Sequence, residues 1–330
     1  MTALPAAFTI GSTTAPPGAI ASGALDIPAR GAAPGASVPF TIVHGVSEGP
    51  VLALVAGVHG FEYAPILALQ RLRLAIDPAA LRGTVIMVHV ANMPSFLGRT
   101  IYYSPVDRQN LNRVFPGRPD GTLSERIADA ITREIVARAT HLVDLHGGDG
   151  NESLRPYAYW ITTGDPSVVE ASRALALAFG LDRIVVDHER PTDAAASLYL
   201  SNTAMTRGRP AITTEVGGLG SASDAEIALV ERGVSGVLRH LGMRDEGPLP
   251  LASPVWITRN VVMRASATGL FLPAVECGQT IAASAPIGRI ADFHGRVLEE
   301  FTAPFGGEVL YIVRTPPISA GEPIGMIGAC

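Results

Sequence analysis

Four short apolar-rich runs constrain this chain more than any other feature: Val51-Leu-Ala-Leu-Val-Ala56, Gly83-Thr-Val-Ile-Met-Val-His-Val90, His141-Leu-Val-Asp-Leu145 and Ala211-Ile-Thr-Thr-Glu-Val216. A strand that is apolar on both faces needs cover on both faces. The segments between these runs supply it. Tyr63 to Ala75, Ser124 to Arg138, Pro166 to Phe179 and Asp224 to Leu241 carry apolar residues at helical spacing, with Ser124 in the N-cap position of its helix. Buried strands alternating with helices specify an α/β fold with a largely parallel sheet. Val38 to His44 reads as a further strand. Residues 1–35, rich in Ala, Gly, Pro, Ser and Thr, read as an arm or loops with at most short strands.

Helical periodicity stops at Arg244-Asp-Glu-Gly-Pro-Leu-Pro250, the expected boundary. Short β-like runs follow between Gly and Pro: Val255 to Val262, Gly269 to Leu272, Ile287 to Ala291 and Gly307 to Val313. The expected organisation is an arm over 1–35, a catalytic domain over 36–245 and a small β-sandwich or barrel over 246–330. The last segment resembles the hammerhead modules of lipoyl and biotinyl carriers. The chain has no lysine, however, so nothing in it can be lipoylated or biotinylated.

All 25 basic residues are therefore arginine. This excludes Schiff-base chemistry, a phosphate-loop lysine and a lysine base. It leaves arginine, whose rigid fork suits carboxylates and oxyanions, as the long-chain cation. A net charge of −5 argues against a nucleic-acid partner. No run approaches the ~18 unbroken apolar residues of a membrane span, and Met1 to Ser22 lacks the pattern of a signal peptide. The two cysteines, Cys277 and Cys330, form no metal cluster and fit a reducing compartment, so a cytoplasmic location is expected.

The chemistry-bearing residues sit where the apolar runs end. Gly57-Val-His-Gly-Phe-Glu62 follows the first run, and Asp144-Leu-His-Gly-Gly148 closes the third. Ligands of open α/β sheets gather at the carboxyl ends of the strands. His59 and Glu62 can converge on one cation, with His146 as a third ligand. Two His and one Glu with an open position are the catalytic zinc set of carboxypeptidase A. Asp144 lies two residues before His146, on the same side of a strand, where a carboxylate can orient the imidazole. In Asp107-Arg-Gln-Asn-Leu-Asn-Arg-Val-Phe-Pro-Gly117, Asn112 and Arg113 offer an amide and a guanidinium to a substrate carboxylate. Glu215, ending the fourth run, is placed to move a proton between water and a leaving amine. The chain has no GxSxG elbow around Ser104, Thr213 or Thr214, which disfavours serine-type hydrolysis.

GxHGxE, NLNRxFPG, DLHGG and TEVGG, in this order, resemble the succinylglutamate desuccinylase/aspartoacylase family of the zinc carboxypeptidase clan, across roughly Val38 to Leu241. The resemblance implies an α/β/α sandwich on a mixed, largely parallel sheet, with a small C-terminal all-β domain shaping access to the site. It implies one Zn2+ per subunit on His59, Glu62 and His146, Glu215 as general base and acid, and Asn112 and Arg113 on the substrate carboxylate. An arginine shortly before NLNR usually polarises the scissile carbonyl. Here Tyr102 and Tyr103 stand in that stretch and two arginines compete, Arg108 slightly ahead of Arg99. The acidic loop after His146 points to a neutral or basic substrate group near Asp149 or Glu152.

The expected activity is removal of an acyl group from an N-acylated amino acid or related small amine. A metallocarboxypeptidase acting on small peptides is the alternative, and a non-catalytic small-molecule-binding protein the remote one. No nucleic-acid or membrane partner is expected, and a homo-oligomer is compatible with the sequence.

Overall fold

The computed structural model describes residues 4–247 and 253–330. Nine strands form the main sheet in the order Val255–Ile257, Arg183–Asp187, Tyr157–Ile161, Ala211–Glu215, His141–His146, Ser47–Ala56, Arg82–Val88, Ala36–His44 and Ala19–Ile27. The four strands Ala211–Glu215, His141–His146, Ser47–Ala56 and Arg82–Val88 are mutually parallel. The sheet is mixed because Tyr157–Ile161 runs antiparallel to Ala211–Glu215, and the Ala36–His44 and Ala19–Ile27 hairpin runs antiparallel at the other edge.

Both faces are covered, as the apolar runs require. Helices Tyr63–Ala75, Pro166–Phe179 and Asp224–His240 pack Leu69, Leu175, Val230 and Val234 against one face. The helix Leu123–Ile131 and the short helix Leu200–Met205 close the other with Ile127, Ile131 and Leu200. Fully burying one such side chain contributes about 1.5–3 kcal/mol. The result is an α/β/α sandwich.

Three local expectations change. Residues 19–27 form an edge strand nine residues long rather than a loop. The helix expected to start at Ser124 is capped by Thr122, in a capping box with Glu125, and its last turn is π-helical over Thr132–Val136. Ser124 instead donates from its backbone N and its Oγ to Asp107, pinning the preceding loop. Val255–Ile257 joins the main sheet instead of the β region, and residues 248–250 of the expected boundary lie outside the described residues.

From Arg259 onward the chain builds two antiparallel sheets around Phe271, Ile290, Ile312 and Ile327. One of them takes in a strand from the main body: Glu152–Leu154 pairs with Gly307–Val313. The β region thereby holds the loop that follows His146. Arg155 and Arg183 strengthen the join, both donating to Glu308. No helix among the described residues is long and apolar enough to cross a membrane.

Candidate active site

Three neighbouring parallel strands end at one cavity. Ser47–Ala56 leads through a tight turn to His59 and Glu62, His141–His146 ends on His146, and Ala211–Glu215 ends on Glu215. His146 and Glu215 are register partners, so they project on the same face. The turn depends on Gly60: a Cβ there would stand 2.0 Å from the Phe96 backbone nitrogen.

One nitrogen from each imidazole and a carboxylate oxygen of Glu62 lie within 4.8 Å of one another. Glu62 Oε1 is 2.7 Å from His59 Nδ1, and Oε2 is 2.9 Å from His146 Nδ1. The other ring nitrogens are engaged from behind. His59 Nε2 is 3.1 Å from Asn110 Oδ1, an oxygen fixed as an acceptor because it also takes the Asn112 N–H at 2.8 Å. That assigns the Nε2 proton of His59 and leaves its Nδ1 directed at a carboxylate. His146 Nε2 lies 3.1 Å from Asp144 Oδ1 and 3.3 Å from the Asn112 amide nitrogen. Asp144 is fully buried, and neither of its oxygens accepts a hydrogen bond of good geometry among the described residues. Two ring nitrogens and a carboxylate facing one point, each ring backed by an oxygen, fit a divalent cation.

The electrostatics agree. Burial pushes Glu62 up, but the charges and hydrogen bonds of His146 and His59 outweigh it and hold the carboxyl down at about 2. Burial pushes His59 down, and Glu62 more than reverses that. For His146, burial is outweighed by Asp144 and then Glu62, which raise it well above the usual histidine range. Burial raises Glu215 well above an ordinary carboxyl; His146 offsets this in part, and Glu62, Glu152 and Asp144 add to it.

The cavity measures about 450 Å³, within the range of small-molecule sites. Six of the seven tyrosines line it: Tyr102, Tyr103, Tyr157, Tyr159, Tyr199 and Tyr311. Its cations are Arg113, Arg190 and Arg264. The guanidinium of Arg190 stacks 3.7 Å from the Tyr199 ring centre and that of Arg113 4.6 Å from it. Arg264 comes from the C-terminal β region, as do Val262, Tyr311 and Pro323 in the same wall.

His59, Glu62, His146, Glu215, Asn112 and Arg113 are thus brought together, with Asp144 directly behind. Asn112 is engaged inside the protein: its Oδ1 accepts Leu200 N at 3.0 Å while its amide nitrogen faces His146. Arg99 and Arg108 are not part of the cavity lining. Both are exposed, at turns with φ of 50° and 59°. Asp149 is also absent from the lining. It is fully buried, and its oxygens accept the backbone N–H groups of Tyr102 at 2.8 Å and Gly150 at 2.7 Å. His188 lies outside the cavity and bonds Thr162. Sequence reasoning missed Arg190, Arg264 and the tyrosine wall. The Tyr-x-Tyr of 157–159, two aromatics on one face of a strand, was the available signal.

A model of the succinylglutamate desuccinylase/aspartoacylase catalytic domain matches residues 48–241. The chain is 33% identical over 300 residues to the N-alpha-acetyl-L-2,4-diaminobutyric acid deacetylase of Halomonas elongata, covering 88% of this chain and 85% of that protein. It is similar to the product-bound structure of the ectoine utilization protein EutE (DoeB) from Ruegeria pomeroyi, with a TM-score of 0.83 and 29% identity over 94% of this chain and 95% of that one. A succinylglutamate desuccinylase/aspartoacylase structure from Rhodobacter sphaeroides gives a TM-score of 0.81 and 25% identity over 94% and 95% of the two chains.

Proposed function

The chain belongs to the succinylglutamate desuccinylase/aspartoacylase family, and from that premise we propose that it is a zinc-dependent amidohydrolase that deacylates an N-acyl amino acid. The observation that carries the reading is the meeting of His59, Glu62 and His146 at one point, with Glu215 on the neighbouring strand end. The Halomonas elongata relative is named for deacetylating an amino acid whose side chain bears a second amine, which makes mono-N-acetylated diaminobutyrate the first substrate to try.

In this reading His59, Glu62 and His146 would hold the ion, the rings through the Nδ1 atoms that face Glu62. Asn110 and Asp144 keep the two rings turned toward it. A bound Zn2+ supplies Lewis-acid polarisation of the amide carbonyl and acidifies water. Glu215 takes the proton of the attacking water and returns it to the departing amine. Burial raises Glu215 above an ordinary carboxyl, the direction that makes a carboxylate a stronger base toward water. Arg113, kept in place by donating Nη1 to the Asn112 carbonyl at 2.8 Å and by stacking on Tyr199, binds the substrate carboxylate. Asn112 lines the cavity beside His146 and is itself held by accepting the Leu200 N–H. With Arg99 and Arg108 turned outward, Arg190 is the cavity cation best placed to share the work of Arg113. The tyrosine wall and the residues from the β region restrict the cavity, which favours a small N-acyl amino acid over a peptide end.

Glu215→Gln tests the assignment. The variant is expected to keep its zinc by elemental analysis and to lose about 10²–10⁴-fold in kcat. Near-normal hydrolysis at full zinc content would remove Glu215 from the mechanism.

A further inference from the structure

The cavity contains a carboxylate that the proposed hydrolysis does not use. Glu152 lines the cavity yet is only 8% exposed. It sits on the short strand that pairs with Gly307–Val313, so both the main body and the β region fix its position. Tyr102 donates its hydroxyl to Oε1 at 2.7 Å, and the Asp149 N–H donates to Oε2 at 3.2 Å. Among the described residues no ion pair reaches it. The nearby arginines are engaged elsewhere: Arg155 with Asp182 and Glu308, and Arg314 with Glu276. A cavity carboxylate that is hydrogen-bonded but lacks a counter-charge is pushed toward its neutral form by burial, here up to about 7 for Glu152, and a cationic ligand beside it restores the charged form.

The charges in the cavity are also segregated. The guanidinium groups of Arg113 and Arg190 both lie against the Tyr199 ring, whereas Glu152 is held by Tyr102 and the Asp149 N–H. A ligand with a carboxylate at one end and an ammonium at the other matches this polarity. Asp149 is not the carboxylate that meets such an ammonium, because it lies outside the cavity lining and its oxygens accept the backbone N–H groups of Tyr102 and Gly150.

We propose that Glu152, held by Tyr102 as a positioning residue, recognises a protonated side-chain amine of the substrate and so selects mono-N-acylated diamino acids over neutral N-acyl amino acids. This rests on the hydrolase reading above and goes beyond it by naming the residue that sets specificity.

The test compares two amides on the zinc-loaded enzyme: Nα-acetyl-2,4-diaminobutyrate and its neutral isostere Nα-acetylnorvaline. The wild type is expected to prefer the ammonium substrate by about 30-fold or more in kcat/KM, the range for desolvated charge pairs. Glu152→Gln should bring that ratio to within about threefold of one, mainly through KM. Glu152→Asp, which keeps the charge, should retain a clear preference, and Tyr102→Phe should lower it in part. Equal efficiency of the wild type on both amides would overturn the assignment, as would an undiminished ratio in Glu152→Gln. A measurement without variants guards against misfolding: free diaminobutyrate should inhibit the wild type at least about tenfold more strongly than norvaline, and equal inhibition refutes the proposal. Failure of the zinc-loaded wild type to hydrolyse either amide would overturn the hydrolase reading itself, and this inference with it.

Discussion

Asp144→Asn probes how the proposed site would hold an ion. Asp144 is fully buried, and among the described residues its ion-pair contact is with His146, Oδ1 lying 3.1 Å from Nε2. A buried carboxylate costs several kcal/mol unless it is compensated. A charged imidazole at that distance returns roughly 5 kcal/mol at an effective dielectric of about 20. The pair therefore nearly balances in the metal-free protein. Its benefit should appear when a cation binds the opposite ring nitrogen, because the carboxylate makes that imidazole a better donor. Asparagine keeps the shape and an acceptor oxygen but removes the charge. Zinc affinity should fall 10–100-fold, about 1.4–2.7 kcal/mol. Urea unfolding of the stripped proteins should agree within about 1 kcal/mol, since the imidazole keeps Glu62 Oε2 2.9 Å from its Nδ1 and is not left as an unpaired buried charge. Competition titration against a chromophoric chelator gives the first quantity and denaturation the second. Wild-type affinity in the variant would refute the reasoning. So would a matching loss of metal-free stability, because that would mean general damage rather than a tuned ligand.

Two further outcomes follow from the same geometry. In the metal-free protein both imidazoles hold their protons above the usual histidine range: burial lowers them, but Glu62 at His59, and Asp144 with Glu62 at His146, prevail. Metal must displace those protons, so zinc affinity should strengthen as pH rises from about 6.5 upward, by up to about 100-fold per unit if two protons leave; an apparent Kd that is flat between pH 6 and pH 8 would contradict this. Gly60→Ala would place a methyl group 2.0 Å from Phe96 N, a clash with backbone that cannot move cheaply, so thermal denaturation and elemental analysis should find a loss of more than about 2 kcal/mol, or loss of zinc.

The readable parts of this protein are those where chemistry sits on a periodic element. His146 and Glu215 close apolar strands, and His59 and Glu62 follow one, so runs that predict parallel strands also predict that these side chains share an edge. The helix Tyr63–Ala75 was legible because Ile66, Leu69 and Leu72 recur at helical spacing. Ala19–Ile27 was not, because Ala, Ser and Gly23 separate its two β-branched residues, Ile20 and Ile27, and its strand state is set by pairing along the whole of Ala36–His44. The cavity wall was illegible for a similar reason. Arg190 lies in an irregular stretch, Arg264 and Tyr311 arrive from a different sheet, and Glu152 is held by a strand more than 150 residues away in sequence. Arg99 and Arg108 were nominated by proximity to NLNR, but left-handed turns at both positions carry their side chains away from the cavity. Local patterns name the groups at strand ends; long-range pairing decides which others they face.

In the proposed function, His59, Glu62 and His146 form one metal-dependent hydrolytic centre. The most direct measurement is the zinc content and Nα-acetyl-2,4-diaminobutyrate hydrolysis of the purified wild type beside His146→Ala, before and after treatment with a chelator and re-addition of zinc. The account predicts about one zinc per chain in the wild type, activity that is abolished by the chelator and restored by zinc, and neither zinc nor activity in the variant. Full activity in a wild type stripped of metal, or full zinc retention in His146→Ala, would contradict it.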